Sequence, residues 1–351
     1  MIIKDINNRG LKEILCVIQG EVEDYSAEKI VIPDGVDSIG HDAFCNFRNL
    51  KEVVMPDSVK AISSGAFEKC VNLEKVTLSK RLSTIAPSAF SHCHSLEDIN
   101  FKDIKVPRLT IGVSAFSHCK NLAEVIFPDD VDIELLNDVF LDCEVLKNVV
   151  IPRAKYIGEH VFTYDYNLKH IVLGKKQKDD NTKPDILHIK KDAFSISGIE
   201  ELDLTDLVYP LTPADNIPER LCYACDDLKT VKLPDVITEI GEEAFSECGS
   251  LMDINIPKAT THIRRRCFYK CSALKTVIIP DDVEYIADEA FAHSGLSLVI
   301  INSDVITFGK GVFEQPYIKH LKNVTIPSNV RFDSWVFGKS TAVTINRVCD
   351  Q

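Results

Sequence analysis

Phe44, Phe67, Phe90, Phe116, Phe140, Phe162, Phe194, Phe245, Phe268, Phe291, Phe313 and Phe337 divide most of the chain into segments of 22 to 24 residues, and Cys222 takes the same place in one further segment. Each member has an apolar residue five positions earlier, from Ile39 through Ile157 and Ile286 to Phe332. A fixed period of this length marks stacked coils, in which no unit buries its apolar face alone and each hides it against its neighbours. A core of that kind grows in one direction, so the length of 351 residues sets no domain count.

Within one coil the two halves have different periods. Ile240, Ala244, Phe245 and Cys248 fall at i, i+4, i+5 and i+8, which predicts one face of a short helix. The Leu73-x-x-Val76-x-Leu78 that follows the Phe67 segment ends in alternation, so it predicts a strand with Val76 and Leu78 inward and Thr77 outward. Proline closes many of these strands (Pro56, Pro128, Pro152, Pro234, Pro257, Pro280, Pro327), having no N–H for a ladder. The expected fold is an α/β repeat solenoid, a right-handed coil of about thirteen turns. It should carry one long parallel sheet, with strand centres from Val53 through Val149 to Val343, and short helical segments on the opposite side.

The consensus Ile-Gly-x-x-Ala-Phe-x-x-Cys-x-x-Leu-x-x-Val-x-Leu-Pro, read over residues 27 to 345, resembles the BspA-type leucine-rich repeats, the Treponema pallidum class. It departs from the commonest leucine-rich repeats, which carry Asn where this chain has Pro or a turn residue. The resemblance implies a bacterial protein-binding scaffold, often one engaged in adhesion at a cell surface.

Residues 1–26 are expected to form an N-terminal cap, residues 27–345 the solenoid and residues 346–351 a polar tail. In the cap, Leu11, Ile14, Leu15 and Ile18 have helical spacing, while Cys16-Val17-Ile18 suits a strand equally well. Two insertions, near 174–185 and 205–216, leave consecutive coils from the ends of their strands. Insertions of this kind gather on one face of a solenoid, often the binding face, although added loop length is also cheap.

A formal charge of −13 argues against nucleic acid and anionic lipid as partners, because both demand a cationic face. No stretch reaches the length and apolarity of a membrane span. The first residues have no signal-peptide pattern, so the location is cytoplasmic if Met1 is the native start, or surface-exposed if a signal has been removed. A monomer is expected.

Seven of the twelve cysteines (Cys70, Cys93, Cys119, Cys143, Cys225, Cys248, Cys271) share one column, three residues after the aromatic position. A residue fixed by repeat phase is expected to pack as a small hydrophobe, and to stay a thiol that alkylating reagents do not reach. Cys349, in the tail, should react most readily. Cys222-Tyr223-Ala224-Cys225 has the spacing of a redox pair, but both cysteines fall on core columns. His92-Cys93-His94 with His118-Cys119 is the nearest thing to a metal cluster, yet consecutive residues point apart and no zinc-type spacing is present. No nucleophile elbow, phosphate loop or His-Glu-x-x-His motif occurs, so no catalytic residue, metal ligand or cofactor is assigned.

The best binding candidate is the outward residue of each strand: Thr77, Asn100, Ile126, Val150, Val172, Asp203, Lys232, Asn255, Ile278 and Ile300 in turn. Ile126, Val150 and Val172 are consecutive and should form an apolar strip flanked by Glu124, Asn148 and His170. Asp203, Lys232 and Tyr209 of the second insertion extend the candidate surface. Against this stands the general preference of β-branched residues for strands. The function expected is protein binding by this face or by the insertions. A spacer module of an envelope or larger assembly is the first alternative. Glycan binding is the second; it calls for clustered exposed aromatics, and the single Trp335 does not supply them.

Overall fold

A computed structural model describes residues 2–6, 11–15, 27–174, 187–205, 216–315, 321–338 and 343–348, which fall into two compact units, Met1–Lys175 and Lys176–Gln351. Tyr209, Cys349, most of both insertions and Cys16-Val17-Ile18 lie outside the described residues.

Each coil contributes two strands. One is the predicted Leu-x-x-Val-x-Leu strand. In the first unit these strands pair in parallel as Lys29–Val31, Glu52–Val54, Lys75–Thr77 and Asp98–Ile99, then as Glu124–Ile126, Asn148–Ile151 and His170–Leu173. The expected single long sheet is thus interrupted, and the break falls where Lys102–Pro107 lengthens a coil. The second strand is the short piece ending five residues before the aromatic. Ser38–Ile39, Ala61–Ile62, Thr84–Ile85, Arg108–Ile111, Asp132–Leu135 and Ala154–Ile157 make their own parallel sheet. In the second unit the first series runs Glu201–Asp203, Thr230–Lys232 and Asp253–Ile254, then Thr276–Ile279, Leu298–Ile301, Asn323–Pro327 and Thr344–Val348. The second series of that unit includes Asn216–Ile217, Glu239–Ile240, His262–Ile263, Tyr285–Ile286 and Thr307–Phe308.

The expected helical segments are absent from the described residues, where the only helical element is a 3-10 turn, Ser334–Phe337. The hydrogen bonds give the reason. Around Phe67, alternate amides close tight turns within the coil, Ala66 N to Ser63 O (3.2 Å), Glu68 N to Gly65 O (2.9 Å) and Cys70 N to Phe67 O (3.2 Å). The others reach the next coil, Gly65 N to Pro87 O (3.0 Å), Phe67 N to Ala89 O (2.8 Å) and Lys69 N to Ser91 O (2.8 Å). A helix would keep all of them within the coil, whereas here half of them stitch neighbours together. Side chains two before and two after the aromatic then take left-handed backbone, as in Ser88 and His92 (φ 56° and 60°) or Ser114 and His118 (φ 56° and 60°). Such φ values suit Gly, Asn, Asp and His best, and His92, His118, His160 and His293 all sit at this phase, alongside less suited residues such as Lys69 and Ile196.

The core of each unit follows the columns. Phe67, Phe90, Phe116, Phe140 and Phe162 are fully buried and stack face to face with centroids 5.1 to 5.8 Å apart. Phe245, Phe268, Phe291, Phe313 and Phe337 repeat the stack in the second unit at 5.0 to 5.9 Å.

Both ends are β-structure. Ile2–Ile6 and Leu11–Leu15 form an antiparallel hairpin whose second strand pairs in parallel with Ser38–Ile39. The cap is therefore a strand rather than a helix, and it covers the ladder edge that the first coil would otherwise present. At the other end Thr344–Val348 pairs with Asn323–Pro327, so residues 346–348 belong to the solenoid and not to a tail.

Candidate functional site

In the first unit the register brings the strip together as two straight rows. Glu124, Asn148 and His170 are cross-strand partners, and so are Ile126, Val150 and Val172. The intervening Val125 and Val149 are buried and anchor the strands from below. Ile126 and Val150 are half-buried, and Val172 is 45% exposed. Earlier coils of the same face differ in chemistry. There Lys29 pairs with Glu52 (2.8 Å) and Lys75 with Asp98 (2.8 Å), so the charges are already partnered along the stack. The row of the strip is uncharged in the first coils as well, where it carries Val31, Val54 and Thr77; what changes along the first unit is the row beside it, from paired charges to Glu124, Asn148 and His170. Val31, 59% exposed and paired with Val54, starts the face with a shorter apolar pair that sequence reasoning passed over.

In the second unit Asp203 and Lys232 are also register partners, with 3.1 Å between Oδ2 and Nζ. The Thr205 hydroxyl donates to the Asp203 carboxylate (2.6 Å) and, with Lys232, holds it below the usual carboxylate range. These charges satisfy each other beside an open depression lined by Thr205, Lys232, Pro234, Asp235 and Asn255. A second apolar pair lies further along, where Ile278 (53% exposed) faces the half-buried Ile300. Both residues belong to the outward column, so the sequence held the signal for them.

The thiols and imidazoles part company. Cys93 and Cys119 are fully buried, and their thiols donate to the Phe67 and Phe90 carbonyls of the preceding coil at 3.2 and 3.3 Å. The same bond recurs from Cys70 to Phe44 O (3.1 Å), Cys143 to Phe116 O (3.3 Å) and Cys271 to Phe245 O (3.1 Å). The column therefore selects a small apolar side chain with one weak donor, which cysteine provides. On the outside, His92 and His118 stack with centroids 4.4 Å apart, and His118 Nδ1 lies 2.8 Å from Asp142. Among the described residues, the three potential donors that do converge within 4.8 Å are Asp42, Cys45 and Glu68. The two carboxylates already pair with His41 (2.8 Å) and Lys69 (2.7 Å) respectively.

Burial pushes the Cys70, Cys119 and Cys271 thiols up to about 12, and drives those of Cys93, Cys143, Cys222 and Cys248 well above the ordinary value. At neutral pH these sulfurs are protonated and shielded, so they are poor nucleophiles. Of the described cysteines, Cys45 alone is half-buried. Alkylation without denaturant followed by peptide mapping should therefore modify Cys45 before Cys70, Cys93, Cys119, Cys143, Cys248 or Cys271. Rapid labelling of Cys93 or Cys248 in folded protein would contradict the column assignment.

Comparison with known proteins places this geometry. The BspA type leucine rich repeat region matches in 6 copies, over residues 22–134, 101–212 and 215–344. A search of curated proteins returns no match. Among solved structures, a leucine-rich repeat protein from Bacteroides ovatus is 21% identical and aligns over 99% of this chain and 98% of its own, with a TM-score of 0.59. The pneumococcal vaccine antigen PcpA is 19% identical over 92% of this chain and 84% of its own, with a TM-score of 0.53. These two likenesses show a common fold, and the repeat match covers most of the sequence. The chain belongs to the BspA-type leucine-rich repeat family.

Proposed function

We propose that this chain is a non-enzymatic protein-binding scaffold, and that its binding surface is the strip Ile126–Val150–Val172 with its rim Glu124, Asn148 and His170. Leucine-rich-repeat proteins are generally protein-binding scaffolds or surface antigens. The observation that carries the reading is the register, which lines up three β-branched side chains on consecutive strands beside a polar row. An apolar centre with a polar rim is the anatomy of a protein interface. The strands themselves are held by buried columns, so the surface is rigid before a partner arrives and little ordering has to accompany binding. Adhesion at a cell surface is the biological setting this reading suits.

A glycan reading draws on one observation, the pair Tyr164 and Tyr166, 42% and 56% exposed with ring centroids 6.3 Å apart. Two neighbouring aromatic faces can carry a sugar ring, and they occur in the coil that ends in Val172. Affinity capture from cell extract separates the possibilities. It would compare the intact chain, Ile126→Glu, Tyr166→Ala, and a variant lacking residues 175–184 and 206–215. Loss of the captured protein with Ile126→Glu alone supports the strip. Loss only on deleting the insertions moves the site there, and glycan retention lost with Tyr166→Ala favours the second reading.

A further inference from the structure

Asp165 occupies the cysteine column of its coil, three residues after Phe162, and is completely buried. Its Oδ1 accepts the Cys143 N–H at 2.7 Å, while Oδ2, also buried, has no partner. Where the column holds cysteine, its thiol donates to the carbonyl at the aromatic position of the preceding coil, as Cys143 does to Phe116 O (3.3 Å). The corresponding carbonyl for Asp165 is that of Phe140. That carbonyl has lost its usual turn partner as well. The amide three residues on normally bonds it, as Cys119 N bonds Phe116 O (3.2 Å), but here Cys143 N turns to Asp165. Among the described residues no donor reaches the Phe140 carbonyl. An unsatisfied buried oxygen on one coil and an unsatisfied carbonyl on the coil before it are complementary only if a proton lies between them.

We propose that Asp165 is a protonated carboxylic acid in the folded protein, that its Oδ2–H donates to the Phe140 carbonyl, and that loss of this proton loosens the last coil of the first unit as pH rises. The titratable groups that act on Asp165 are the Cys143 thiol and the Asp142 carboxylate, and Asp142 is drawn outward to His118. Neither is a cation that would compensate an ionised Asp165. Burial, first, and then Asp142 raise its carboxyl well above the ordinary value of 3.8, against the single N–H that favours the anion. A carboxyl raised in the folded state stabilises fully below its unfolded value, and that contribution is lost as pH climbs towards the folded one. The chain should thus be more stable in mildly acidic than in neutral or alkaline solution on account of this residue.

Thermal unfolding of the full chain and of Asp165→Asn between about pH 5 and about pH 8 tests the idea. The amide keeps the donor and cannot ionise, so its Tm should gain on the wild type by about 3 °C or more as pH rises through that range. Infrared difference spectroscopy should reveal a protonated-carboxyl band in the wild type that is missing from the variant. Parallel Tm profiles, or no such band, overturn the proposal. If Asp165→Asn does not fold, Asp165→Cys, which restores the column thiol, serves in the same comparison.

Discussion

Phe116→Ala should lower the free energy of unfolding by about 3–5 kcal/mol, the range for a fully buried aromatic truncated to a methyl. The ring is fully buried and stacks on Phe90 at 5.2 Å and on Phe140 at 5.6 Å, with Phe101 edge-on at 5.8 Å. It therefore loses partners on both neighbouring coils at once, each pair contributing about 0.5–1.5 kcal/mol beyond its buried area. Phe245→Ala should cost less within the same range. That ring stacks on Phe268 at 5.6 Å, while Cys222 takes the aromatic position of the coil before it. Because solenoid coils interact chiefly with their neighbours, the damage should be greatest locally. Hydrogen exchange of the amides around Ala89 and Val139 should rise before that of the second unit. A denaturant titration showing a loss below about 1 kcal/mol for Phe116→Ala would mean that the aromatic column is not the core.

The coils could be read from the chain because their inward residues are hydrophobic at a fixed phase, and burial is indifferent to how the backbone between them is hydrogen-bonded. That indifference is also why the helical expectation failed. Ile240, Ala244, Phe245 and Cys248 lie on one side both of a helix and of a run of tight turns, and the choice is made by amides that bond to the next coil, as Phe245 N does to Cys267 O (2.9 Å). A single repeat does not encode its neighbour's carbonyl. The clue lay in the polar residues. Asp, Asn, His and Ser take many of the positions two either side of the aromatic, such as Asp42, Asn46, Ser88, His92, Ser114, His118, Asp138 and Asp142, where φ is positive, although Lys69, Ile196, Ala224 and Glu243 share that phase and blur the signal.

The candidate surface was legible to a similar depth. Alternation alone placed Ile126, Val150 and Val172 on the outward side, and the parallel register then aligned them. What alternation does not carry is the state of the charges. Asp203 and Lys232 were candidates because they face outward, but they bond each other at 3.1 Å and so have less to offer a partner. Asp165 was hidden for the opposite reason. It reads as one more polar residue until its column and its burial are known.

The largest functional effect should come from Val150→Glu. Val150 is the middle member of the strip, with Ile126 and Val172 as register partners on either side. It is half-buried and points away from the core that Val149 and Ile151 fill. A carboxylate there remains solvated in the free protein, so stability should change by less than about 1 kcal/mol, chiefly through strand preference. Against a partner docked on the strip, the same carboxylate must give up its water without a counter-charge. Glu124 is the acidic group of the rim and offers no compensation. Central positions of this kind dominate binding, and a loss of about 2 kcal/mol or more corresponds to roughly thirtyfold in Kd. Val31→Glu serves as the control, since it places the same charge on the same face but beside the charge ladder of the first coils. The measurement is the Kd of a captured partner for wild type, Val150→Glu and Val31→Glu, alongside the Tm of each. Weaker binding by Val150→Glu alone, with all three melting together, assigns the strip as the interface. Equal binding by all three leaves Ile126, Val150 and Val172 as strand residues only, outward because alternation puts them there.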